Sequence, residues 1–209
     1  MKGYPFKKFR KGKSMQYKTH VTTSLALGLP LIVSSQQLSA LNVGALLVGC
    51  LLPDIDQPTS FLGKRNRLVS GVTHKTLGHR GGTHSLLGLV IVFVMVAFIS
   101  QRYFNFAGRY FPFWLCTGYL FHLLEDSFSK DGVKWLWPLG KKGIRTGGKW
   151  LTYSTGGIGE YLLLGFTFCL LLIEIRLIWL NQLGNFLPSG MLAHLQALTL
   201  KLQTIFSSN

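Results

Sequence analysis

Two short clusters hold five of the seven acidic residues in this chain. They are Asp54 and Asp56, in Leu52-Pro53-Asp54-Ile55-Asp56, and Glu125, Asp126 and Asp131, just after His122. Four of the six histidines, His20, His79, His84 and His122, stand beside a boundary of an apolar segment. Imidazole nitrogens and carboxylate oxygens are the ligand types for zinc and related divalent ions. Gathered at the ends of membrane-length stretches, they predict a metal site at a membrane face.

Each motif also has a plainer reading. His122 and Asp126 are four apart on a helical pattern, so they share one face a turn apart and can approach one cation. Taken alone, the pair could equally be a helix-end hydrogen bond. Asp54 and Asp56 follow Pro53 in a turn, where one can ligate while the other bridges a second ion or orients a histidine. Solvated turn acids are the alternative, weakened because acids this near a membrane need a counter-charge. In His79-Arg80-Gly81-Gly82-Thr83-His84-Ser85 the two glycines allow a bend that brings both imidazoles together. Arg80 suits a phosphate, and Thr83 or Ser85 can cap the helix that follows. A lone histidine such as His20 is more often structural, but its place at a helix start makes it a ligand candidate. Glu125 and Asp131 are candidates for the surrounding shell or a second ion. Glu160 can simply cap a helix N-terminus.

The elements that position these residues are five apolar segments, at about 20–35, 38–53, 85–100, 108–125 and 158–180. A straight crossing needs about 20 apolar residues, so the first two are short and read as a tight or re-entrant helical hairpin. Residues 190–206 have the pattern of an interfacial amphipathic helix. The tail 1–18 carries seven Lys/Arg and suits anionic headgroups; Met15 is an alternative start. This divides the chain into a basic tail (1–18), a membrane-embedded domain (19–182) and an amphipathic C-terminal segment (183–209).

Composition fits a membrane protein. The chain has 22 Lys+Arg against 7 Asp+Glu, a formal charge of +15, yet is 48% hydrophobic. That is too apolar for a soluble nucleic-acid binder, and no specific nucleic-acid partner is expected. Cys50, Cys116 and Cys169 sit singly in apolar runs and form no zinc or disulfide framework. The loops 56–84 and 126–157 hold five and six basic residues, whereas 34–39 holds none and 101–110 holds two. The positive-inside rule then predicts a cytoplasmic N-terminus and five crossings. All the candidate ligands land on that same cytoplasmic side. The glycine-rich basic stretch 140–150 matches no Walker A pattern; it reads equally as a basic cytoplasmic loop serving topology and as a holder of a lipid phosphate.

At these residues the chain closely resembles the YdjM-like family of membrane-bound proteins, described as predicted metal-dependent hydrolases. The matches are Thr19-His20, Gly49-Cys50-Leu51-Leu52-Pro53-Asp54-Ile55-Asp56 with Ser60, His79 through Ser85, and Gly118 through His122 to Asp126, then Gly132 and Pro138. The family is distantly similar to the helical zinc-dependent phospholipase C and P1-nuclease group, an analogy at the level of fold.

Motifs and resemblance together predict an all-α, multi-pass membrane bundle with a cytoplasmic-facing metal site. The expected activity is hydrolysis of a phosphate ester in a membrane lipid or lipid-linked intermediate. The expected ion is Zn²⁺, with Mn²⁺ or Fe²⁺ as alternatives, on His20, Asp54, His79, His84, His122 and Asp126. Asp56 is the preferred general base with Glu125 behind it, and Arg80 holds phosphate. A non-catalytic metal site with a structural or sensory role is the second expectation. Oligomeric state is left open.

Overall fold

The computed structural model describes residues 16–57, 60–65, 82–103, 109–130, 132–140, 143–146, 152–154, 156–183, 193 and 197. Among them the chain folds into α1 (Tyr17–Ser34), α2 (Ala40–Leu51), a short α3 (Phe61–Arg65), α4 (Leu86–Tyr103), α5 (Phe111–Ser127) and α6 (Ile158–Trp179). Tight 3₁₀ turns cover Pro53–Asp56 and Gly82–His84. No strand forms among the described residues. Two isolated β-bridges, Ser129 with Tyr153 and Val133 with Ile144, tie down the segment after α5. The all-α expectation holds, and each of the five apolar segments is a helix. His79, Arg80 and Asp131 lie outside the described residues, as does almost all of the expected 190–206 helix.

Local chemistry sets the helix ends. The Ser39 hydroxyl accepts from the Asn42 amide and starts α2. Pro53 breaks the α-helical ladder, so the two aspartates follow in a tight turn. Of the two possible caps before α4, Ser85 takes the position, accepting from the Gly88 amide. Glu160 accepts from the amides of Gly156 and Gln16, so one carboxylate joins the starts of α6 and α1. Its expected role as a helix-terminal acid is the role observed.

Hydrogen bonds give the helix directions. Gln16 and Thr19 meet Glu160, and Thr22 meets Thr167, so α1 and α6 run in the same sense. Trp114 Nε1 donates to Gln37 at one end, and His122 Nδ1 donates to the Cys50 carbonyl at the other, so α2 and α5 do likewise. Tyr119 donates to the Thr83 carbonyl, fixing the start of α4 against α5. The motifs at the start of α1, end of α2, start of α4, end of α5 and start of α6 therefore share one end of the bundle.

Helices α2 and α5 touch through backbone. A Cβ at Gly118 would sit 2.1 Å from the Leu46 carbonyl oxygen, and one at Gly49 only 1.9 Å from that of Leu115. Small residues at such crossings allow close backbone approach, the usual device in membrane helix pairs. Gly118→Leu should therefore force α2 and α5 apart, at a cost of about 1–3 kcal/mol or more. Thermal melting in detergent would show it as a lowered midpoint; an unchanged midpoint would contradict the close crossing.

Beside an apolar core around Leu46 and Trp114, the interior holds ionisable groups while large apolar side chains face outward. His20, Asp54, Asp56, His84, His122, Glu125, Asp126 and Glu160 are buried, while Phe98 is 73% and Trp179 87% exposed. In hydrocarbon an apolar exterior is satisfied and ionisable groups retreat to the interior. Helix α6, with 22 residues, is long and apolar enough to cross a membrane unaided. The 12 residues of α2 extend only about 18 Å, short of a hydrocarbon core of about 30 Å.

Candidate metal centre

Four separate elements deliver side chains to one buried point. Helix α1 brings His20, the turn after α2 brings Asp54 and Asp56, the turn before α4 brings His84, and α5 brings His122, Glu125 and Asp126. His84 Nε2 lies 3.3 Å from His122 Nε2, 3.7 Å from Asp54 Oδ1 and 3.6 Å from Asp126 Oδ2. His20 Nε2 lies 3.7 Å from Asp126 Oδ1. The imidazoles of His20 and His122 stack with centroids 3.9 Å apart. Two donor sets emerge, His20–His122–Asp126 and Asp54–His84–His122, and His122 belongs to both.

His84 Nε2 and His122 Nε2 are within hydrogen-bond reach of each other, but the nitrogen–oxygen spacings are wider. The nitrogen–oxygen distances of 3.6–4.0 Å exceed the roughly 2.7–3.2 Å of a hydrogen bond. Donor atoms each about 2.0–2.2 Å from one ion lie roughly 3–4 Å from one another. His20 Nε2 and Asp54 Oδ1 are buried and have no hydrogen-bond partner among the described residues. Leaving such atoms unsatisfied costs about 1–3 kcal/mol each, and a cation at the shared point satisfies both. The residues present therefore fit a divalent ion.

Surrounding groups set the histidine tautomers. His122 Nδ1 donates to the Cys50 carbonyl at 2.7 Å, which leaves Nε2 with its lone pair toward the cluster. His20 Nδ1 donates to Glu125 Oε2 at 2.6 Å, and Ser24 donates to Glu125 Oε1 at 3.2 Å. This carboxylate–histidine pair turns His20 Nε2 inward, the arrangement that commonly supports a ligating histidine. Burial opposes charge on both Asp54 and His84. The facing His84, with His122 and His20, nonetheless holds the Asp54 carboxyl below the usual range. Asp54, Asp56 and Asp126 hold His84 above the ordinary imidazole value. A bound cation would take over the counter-charge that the His84 proton supplies.

Glu125→Gln tests the orienting role. An outer hydrogen-bond partner of a ligand is worth about 10–100-fold in metal affinity. Competition with a fluorescent zinc chelator should show a weakening of that order with ligand count retained. Unchanged affinity would remove Glu125 from the support of His20.

Of the sequence candidates, His20, Asp54, Asp56, His84, His122, Glu125 and Asp126 come together. Sequence reading passed over two supporting groups, Ser24 and the Cys50 carbonyl, and one buried acid away from the cluster, Glu174. Glu174 lies inside α6, buried, with Oε2 lacking a hydrogen-bond partner among the described residues. A single acid within a membrane-length apolar run was its available signal.

The family model described as YdjM inner membrane protein matches residues 15–195, which include the whole cluster. The chain belongs to the YdjM family. It is 40% identical over 100 residues to inner membrane protein YdjM of Escherichia coli (strain K12), covering 46% of this chain and 48% of that protein. It is 32% identical over 122 residues to inner membrane protein YbcI of the same organism, covering 57% and 65%. It is 35% identical over 91 residues to the protein YvsG of Bacillus subtilis (strain 168), covering 44% and 53%. The matched region spans about half the length of the first of these relatives. No solved structure matches the chain. As a YdjM-family protein with apolar helices outside and ionisable groups inside, it is a membrane protein.

Proposed function

We propose that this YdjM-family protein is a membrane-embedded, metal-dependent hydrolase that cleaves a phosphate ester of a membrane lipid or lipid-linked intermediate. The observation that carries the proposal is the convergence of three histidines and two aspartates, from four elements, on one buried cluster. A structural staple would not need so many ionisable groups in a membrane interior, where each is costly.

In this reading His20, Asp54, His84, His122 and Asp126 hold the ion, with Zn²⁺ best suited to the donor set and Mn²⁺ or Fe²⁺ as alternatives. Bound there, a divalent ion supplies Lewis-acid polarisation of a phosphoryl oxygen and an acidified water. Glu125 orients His20. Asp56 Oδ2 is 3.8 Å from His84 Nδ1, at the margin of the donor set, and takes the proton of the attacking water. Arg80 and the basic stretch 141–149 supply positive charge for the phosphate.

The five long helices are read as a multi-pass bundle, with the basic loops placing the cluster on the cytoplasmic side. Leu38 and Leu139, both exposed and near opposite ends of the bundle, report on this. In a variant lacking Cys50, Cys116 and Cys169, a cysteine at 38 should react with an impermeant thiol reagent in right-side-out vesicles. One at 139 should react only after permeabilisation. The reverse pattern would invert the topology.

One observation favours a second reading. The ligand atoms sit on side chains with at most 7% exposure, and a closed donor set is the mark of a structural ion. That site would bind metal and do no chemistry. Headgroup release from solubilised lipids, with metal measured on the same sample, separates the two.

A further inference from the structure

A groove of about 930 Å³ runs along the bundle between α1, α5 and the start of α6. Its inner walls are apolar, formed by Leu27, Phe121, Leu124 and Leu163. Polar groups occur at the end shared with the ion cluster, where Lys130 and Ser154 line it. On α5 and its C-cap, residues 121, 124, 125 and 128 form a stripe of i, i+3, i+4 and i+7 positions beside the stripe that carries His122 and Asp126. Glu125 belongs to both surroundings. It lines the groove, and its Oε2 receives the hydrogen bond from His20.

The volume lies within the roughly 300–1,000 Å³ of small-molecule sites. The lining is too apolar for a water-soluble phosphate ester. A cation at the interfacial end, with apolar walls leading into the bundle, is the charge and polarity pattern of an anionic lipid: head at the interface, chain inward. Leu27 and Leu124 are 48% and 39% exposed, so the groove opens sideways to the bilayer.

We propose that this groove holds an acyl chain of the substrate, with Lys130 against the anionic headgroup and Glu125 as the wall between chain and ion centre. The inference rests on the lipid-hydrolase reading and specifies its substrate as a chain-bearing phosphate ester entering from the bilayer.

The test is photo-crosslinking in nanodiscs to phosphatidic acid with a diazirine in its acyl chain, mapped by mass spectrometry. Saturable labelling is expected within 121–128 and 158–163. Leu27→Trp and Leu124→Trp, on different helices, should each weaken it about tenfold by filling the space of a few methylenes, with metal content retained. Lys130→Glu should weaken labelling by phosphatidic acid and spare that by diacylglycerol with the same chain. Labelling that never saturates and spreads over the exposed face of α6 around Phe166 would overturn the proposal, as would saturable labelling indifferent to both tryptophans. Crosslinking needs no turnover. Saturable labelling without hydrolysis would therefore remove the hydrolase reading alone, and hydrolysis with unsaturable labelling would remove the groove alone.

Discussion

Asp126→Ala or His122→Ala is expected to strip purified protein of most of its divalent metal. Asp126 faces both halves of the cluster, with Oδ1 toward His20 and Oδ2 toward His84 and His122. His122 is common to both donor sets and held in its ligating tautomer by the Cys50 carbonyl. Losing His122 removes the ligand common to both sets, and losing Asp126 removes the carboxylate between them. Outer partners alone are worth about 10–100-fold in affinity, so the loss here should exceed about 100-fold. Elemental analysis of wild type and both variants, purified identically, reads it directly. Full occupancy in both would sink the ligand assignment.

The second large effect separates the two aspartates of the Pro53 turn. Asp54→Asn should lose both metal and turnover, because Oδ1 lies 3.7 Å from His84 Nε2 within a donor set. Asp56→Asn should largely keep metal and lose turnover. Its carboxylate approaches His84 Nδ1 at 3.8 Å and belongs to neither donor set. A general base typically contributes about 10²–10⁴-fold in rate, so a loss in that range is expected. Metal content and headgroup release must be measured on the same samples. If Asp56→Asn turns over a lipid as fast as wild type does, the proton acceptor is another group.

Much of this site was legible because successive apolar helices of the bundle alternate direction. Residues at the start of one apolar segment and the end of the next must meet at one face. That rule alone brings His20, Asp54, His84, His122 and Asp126 together, and Pro53 and Ser85 mark where their elements begin. What could not be read depends on how closely the helices approach. The Cys50 carbonyl reaches His122 only because Gly49 and Gly118 let α2 and α5 touch. No residue type announces a backbone acceptor. Ser24 meets Glu125 from 101 positions away, through the packing of α1 on α5. Adjacent residues on a helix point about 100° apart. Glu125 and Asp126 look equivalent in sequence, but only Glu125 lines the groove.

In the proposed function a divalent ion held by the buried cluster drives phosphate-ester cleavage in membrane lipid. The most direct measurement takes purified wild-type protein in nanodiscs of extracted membrane lipid and removes metal with a chelator. Zn²⁺, Mn²⁺ or Fe²⁺ is then restored singly, and released phosphate or phosphorylated headgroup is followed. The metal-free protein should release nothing, and release should rise with the restored ion to a stoichiometric plateau. Release that persists undiminished without metal, or full metal occupancy with no phosphate ester cleaved from any lipid present, would contradict it.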